Sequence, residues 1–178
     1  MPNWCENRVY LEATPSEIEA IVAAVKNQGD TKGLLDYLRP QPEHAEESET
    51  HMPNWWSWRV ENWGTKWEVT AEIVSHSIAD GWINLAFDSA WSPPIEALIH
   101  WGSESEETRS YNIRYIEWGM GFCGEADDEG LNESFSIPLT VEAVEELIPV
   151  DIDEEFGISE MVAQWEEEEA EEEEAEHA

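Results

Sequence analysis

The apolar residues of this chain change period at Thr14. Residues 7–13, NRVYLEA, alternate, with Val9, Leu11 and Ala13 on one face, which is the pattern of a half-buried strand. Thr14-Pro15-Ser16-Glu17 then reads as a helix start: the threonine caps, the proline suits the first helical position, and the glutamate reaches back to the cap amide. Ile18, Ile21, Val22 and Val25 follow at i, i+3, i+4 and i+7 and make one apolar helical stripe. A strand running straight into a capped helix sets the first step of the topology.

The rest of the chain continues the alternation of strands and helices. Residues 31–62 are mixed: 34–38 (LLDYL) fit a short helical turn stopped by Pro40 and Pro42, while 43–53 are polar, so the segment reads as a loop-rich insertion. Residues 67–75 (WEVTAEIVS) alternate again, Asp80-Gly81 signals a turn, and 82–87 (WINLAF) complete a predicted hairpin. Ser92-Pro93-Pro94 opens a second helix through Ile95, Leu98 and Ile99, and 111–118 (YNIRYIEW) form a fourth strand. Gly119, Gly121 and Gly124 punctuate a loop, 125–129 make an acidic one, and 133–137 suit a short fifth strand. A third amphipathic helix is predicted over 140–148. The order β-α-β-β-α-β is the ferredoxin-like arrangement. It predicts an α+β domain over residues 1–150, with a four-stranded antiparallel sheet ordered 4-1-3-2 and helices on one face. Residues 151–178 then form a C-terminal helix and an acidic tail, partly helical or disordered, in which only Trp165 offers a large apolar anchor after Gln164.

Charge limits the partners. The chain carries 42 Asp and Glu against 8 Lys and Arg, a net charge of −34. Residues 1–114 hold 19 of the acids and all 8 bases, and residues 115–178 hold 23 acids and no base. Such a field repels phosphate and anionic membrane and attracts basic protein surfaces. No apolar run is long enough to span a bilayer and no charged-then-apolar leader opens the chain, so a cytoplasmic protein is expected. Two cysteines, Cys5 and Cys123, exclude a disulfide framework or a cysteine-held cluster and are expected as buried free thiols. Residues 151–157 (DIDEEFG) match a calcium loop poorly, because the glycine stands one place late. Residues 119–124 fit GxGxxG letter for letter but open no helix. No metal or cofactor is expected.

Four tryptophan-bearing motifs occupy related places on the predicted topology. MPNWC precedes strand one, NWGTKW precedes strand two, DSAWSPP follows strand three, and EWGMGFCG follows strand four. In a 4-1-3-2 antiparallel sheet all four gather at one end. Asn3, Trp4, Asn62, Trp63, Lys66, Trp67, Asp88, Trp91, Glu117, Trp118 and Phe122 are therefore candidate ligand-binding residues. The competing reading is that these indoles only pack the loops together. MPNWCENRVYLEA, ENWGTKWEV, FDSAWSPP and YIEWGMGFCGEA together resemble the YubB ferredoxin-like family of phage and plasmid proteins, over about residues 1–126. The resemblance implies a ferredoxin-like fold and a mobile-element origin; it brings no activity with it.

Residues 166–176 hold nine glutamates in eleven positions. The plain reading of this run is a solvated tail, and three functional readings compete with it. The first is a non-catalytic phage or plasmid protein that binds a basic host protein, with DNA mimicry against a nucleic-acid-handling or defence enzyme as its sharpest form. Glu125, Asp127, Asp128, Glu129, Glu154 and Glu155 are its candidate contact residues, and direct nucleic-acid binding is not expected. The second is adaptation to high salt, where dense carboxylates hold hydration and the aromatic end binds a small ligand or peptide. The third is an enzyme using Asp88 or Glu117 as general base, for which no partner acid or nucleophile is evident.

Overall fold

A computed structural model describes residues 2–30, 32–42, 54–105 and 108–176 of the chain. Strand β1 (Trp4–Glu12) buries alternate residues Cys5, Asn7, Val9 and Leu11. Helix α1 (Pro15–Lys26) follows directly, with the Thr14 amide donating to Glu17 Oε2 at 3.1 Å, and it buries Ile18, Ile21, Val22 and Val25. Each such aliphatic side chain withdrawn from water contributes about 1.5–3 kcal/mol before entropy is counted. Helices α2 (Leu34–Leu38) and α3 (Trp55–Trp63) come next. Strands β2 (Glu72–Ser77) and β3 (Trp82–Ala90), helix α4 (Ile95–Ser103) and strand β4 (Ser110–Glu117) complete the first part of the chain.

The sheet overturns the expected four-stranded ferredoxin-like architecture. It has six strands in the order β2-β3-β1-β4-β5-β6, all antiparallel, with β5 (Phe122–Asp127) and β6 (Asn132–Ser136) added beyond β4. The glycines read as a loop are the reason. Gly121, at φ 69°, closes a tight β4–β5 turn. Gly124 lies inside β5, where a Cβ would run into the Glu133 carbonyl of β6 and the Tyr115 hydroxyl of β4. That glycine is a close approach between strands, not a break in one. The acids at 125–129 divide between the end of β5 and the β5–β6 turn.

The helices also lie on both faces, not one. Val9, Leu11, Ile83, Leu85, Ile113 and Tyr115 face the side covered by α1, α2 and α4, which holds the larger apolar core with Trp63 and Trp101. Ile116 and Cys123 point the opposite way, and helices α5 (Val141–Leu147), α6 (Val150–Phe156) and α7 (Ile158–Glu176) cover them. Val144, Ile148, Ile152, Ile158 and Val162 supply this second core. Arg114 on β4 is paired with Glu125, Glu155 and, closely, Asp151, and Arg8 lies 3.6 Å from Glu155, so ion pairs seat α6 on the sheet.

Two smaller expectations change as well. β2 begins at Glu72 rather than Trp67, because the Gln28 side chain takes the backbone of Ala71: its Nε2 donates to the carbonyl at 3.0 Å and its Oε1 accepts from the amide at 2.9 Å. Within the segment read as loop-rich, α3 is a capped helix whose Asn54 side chain accepts from Ser57 N at 2.9 Å. The polar stretch 43–53 lies outside the described residues.

Candidate functional site

The start of β1, the end of β3 and the β4–β5 turn meet at one end of the sheet. Trp4 is the register partner of Ala90, and the Trp91 amide donates to the Asn3 carbonyl at 2.9 Å. Gly119 sits so close to Asn3 that a Cβ there would be 2.7 Å from its Nδ2. Trp67 approaches Trp4 with ring centroids 6.1 Å apart, and Lys66 Nζ lies 4.8 Å over the Trp67 ring. The four tryptophan motifs therefore share one rim, as the chain order requires.

They do not form one pocket. Trp63 is fully buried and its Nε1 donates to the Arg39 carbonyl at 2.8 Å. Asn62 is occupied within α3, donating to the Trp58 carbonyl at 2.8 Å. Trp118 belongs to the second core and packs edge-on against Trp165, and Phe122 packs against Tyr115. Asp88 is exposed on the sheet face of Ile116, opposite Glu6. Glu117 is 1% exposed, and its carboxylate accepts from the amides of Gly119 and Met120. It closes the β4–β5 turn.

The concave part of this end is a groove of about 280 Å³ between α3 and the loop after β3. Trp56, Val60, Lys66, Trp91 and Ser92 line it. Of these, only Lys66 and Trp91 stand out in the sequence; Trp56 and Val60 fall in the segment read as a loop. Hydrogen bonds stitch its two walls together: Ser92 Oγ donates to the Gly64 carbonyl at 2.6 Å, and Thr65 Oγ1 donates to the Ala90 carbonyl at 2.9 Å. Beneath them Ser89 Oγ donates to the Ser92 carbonyl at 2.8 Å and accepts from Asn7 Nδ2 at 2.9 Å. Trp91 has φ 74°, among the described residues the one non-glycine in the left-handed region, and the residue is 50% exposed. Holding a bulky residue there costs on the order of 1–3 kcal/mol.

The thiols are not nucleophiles at neutral pH. Cys5 and Cys123 are buried, unpaired and on opposite faces of the sheet. Burial, helped by the charge of Glu117, pushes the Cys5 thiol up to about 12, and burial together with Asp153 pushes Cys123 up to about 11.

The acidic candidates separate into three groups. Glu125 and Glu155 are held by Arg114, and Glu155 also by Arg8. Asp127 and Asp128 organise the far end of the sheet: Asp127 accepts from Glu129 N and Leu131 N, and Asp128 from Tyr111 N, each at 2.9 Å. Glu129 and Glu154 are exposed. The weak calcium-loop match is helix α6, where Asp151 pairs with Arg114 and Asp153 accepts from Ser159. Beyond Trp165, α7 carries Glu166–Glu169, Glu171 and Glu172, all exposed.

Comparison with protein-family models, with curated proteins and with solved structures returns no match. Among the described residues, no helix is long and apolar enough to cross a membrane.

Proposed function

We propose that the chain is a non-catalytic phage or plasmid protein whose acidic C-terminal helices dock in a basic groove of a host nucleic-acid-handling protein, in the place of DNA. The observation that carries this reading is the continuity of α7 through the glutamate run. Six glutamates fill seven positions from 166 to 172. At about 1.5 Å of rise per residue that is one charge per about 1.8 Å of axis, against about 1.7 Å for duplex DNA. The run is rooted where Trp165 meets Trp118 edge-on, at 5.8 Å between centroids, so its charges have a defined origin on the body. Like charges at i,i+4 along it repel by about 0.2–0.5 kcal/mol a pair, and a cationic groove relieves that repulsion. The mobile-element origin rests on the motif resemblance. A non-catalytic role is supported by Glu117, whose carboxylate is spent on two backbone amides.

The test is retention of bacterial lysate proteins on the immobilised chain, with duplex DNA as competitor. Nucleic-acid-handling proteins are expected to bind at low salt, to be displaced by DNA, and to be retained far less by a chain ending at Gln164. Retention that DNA does not compete, or that the truncation leaves intact, refutes the proposal.

A further inference from the structure

The acidic helix leaves the aromatic groove unused. We propose that this groove anchors one bulky apolar side chain, flanked by arginine or lysine, from a basic segment of a protein partner. The proposal rests on the reading above only for the partner's charge.

Size limits the occupant to a small group. At about 280 Å³ the groove stands at the small end of the roughly 300–1,000 Å³ range of ligand sites. It accommodates a single large side chain, the usual anchor of a protein–protein hot spot. Its walls are the indoles of Trp56 and Trp91, 48% and 50% exposed, with Val60 at 43% between them on the α3 side. Core packing does not account for an indole that leaves half its surface in water while its backbone is held at φ 74°. The stitched loops and the bond from the Trp91 amide to the Asn3 carbonyl hold it in that presentation.

Charge decides between occupants. Exposed Glu61 follows Val60 on α3, and exposed Glu96 opens α4 with its amide close to Gly64. The cation in the lining, Lys66, lies over the Trp67 ring. A guanidinium beside the groove gains both these carboxylates and the open indole faces. A second copy of the chain brings another −34, and nucleic acid brings phosphates, so both are disfavoured by the same field.

The probes are two short peptides of equal positive charge, one alternating arginine with leucine and one of lysine and glycine, titrated calorimetrically into the full chain. The variants are Trp91→Gly, which suits the positive φ, and Trp56→Ala, which removes an exposed ring. The arginine–leucine peptide is expected to bind more tightly than the lysine–glycine peptide. Each variant is expected to weaken it by about tenfold or more, with thermal stability maintained, and raised for Trp91→Gly. Equal affinity of the two peptides, or no change in Trp56→Ala, overturns the proposal. So does self-association of the chain that Trp91→Gly abolishes, because the groove then serves a second copy. A chain ending at Gln164 separates the two readings: groove variants without effect beside a weakened truncation remove the groove alone, and the reverse removes the acidic helix alone.

Discussion

Glu68 caps α2 from a distant point in the chain. Its Oε1 accepts from Leu35 N at 2.8 Å and Val69 N at 3.1 Å, and its Oε2 accepts from Asp36 N at 2.8 Å. Burial nevertheless outweighs these bonds and raises the carboxyl above its ordinary 4.5. The folded state thus binds the proton more tightly than the unfolded state, and between 4.5 and the raised value stability falls as pH rises. Glu68→Gln lacks that slope and loses an acceptor for one α2 amide, at about 1–3 kcal/mol. Its deficit against the parent should therefore be larger near pH 4.5 than at neutrality in urea denaturation; a deficit that grows with pH contradicts the assignment. Glu17 has the opposite sign: burial pushes it up, but bonds from Thr14 and Arg109 prevail and lower it. The Thr14–Glu17 pair is legible in the sequence because its partners lie within one turn of chain. Glu68, Gln28 and Asn7 are not, because each serves a backbone that only the tertiary fold brings near.

At the scale of elements, β5 shows how a strand hides. Gly124 weakens its alternation, and Glu125 sits where an apolar residue or a solvent-facing one is expected, yet it is drawn in by Arg114. Gly124→Ala is expected to lose about 1–3 kcal/mol, because the obstructing atoms include the rigid backbone of β6. An unchanged urea midpoint would mean the β5–β6 contact is looser than described. Arg114→Met tests the seating of α6. It leaves Glu125, with a side chain only 13% exposed, without its cation, and a loss of about 1–3 kcal/mol is expected. Amide exchange should quicken in α6 and α7 while α1 stays protected; equal acceleration in α1 would show that the pairs support the whole domain. The order of the earlier elements could be read because each strand and helix there carries its own period. The last three helices have such stripes too, but nothing in those stripes says which sheet face they cover.

As a whole, the molecule is one sheet between two unequal apolar layers, and its charge is divided between them just as unevenly. The larger core lies among residues that carry every base, while the smaller one is built from a segment with 23 acids and none. The pairs of Arg8 with Glu155 and of Arg114 with Asp151 and Glu155 are partly exposed and contribute about 0–1 kcal/mol each, too little to cancel that repulsion. The screening length grows from about 3 Å at 1 M salt to about 30 Å at 0.01 M. Diluting salt should therefore release α5–α7 before the face covered by α1 and α4. Hydrogen exchange across a salt series would read this as early loss of protection at Ile152 and Val162 with Ile18, Ile113 and Leu98 retained. A single cooperative loss of both faces below about 1 M would instead mark acidity that serves hydration in concentrated brine, and would withdraw the docking role from α7. If protection on both faces is indifferent to salt, the carboxylates are already balanced within the fold, and the proposed gain on meeting a basic groove disappears.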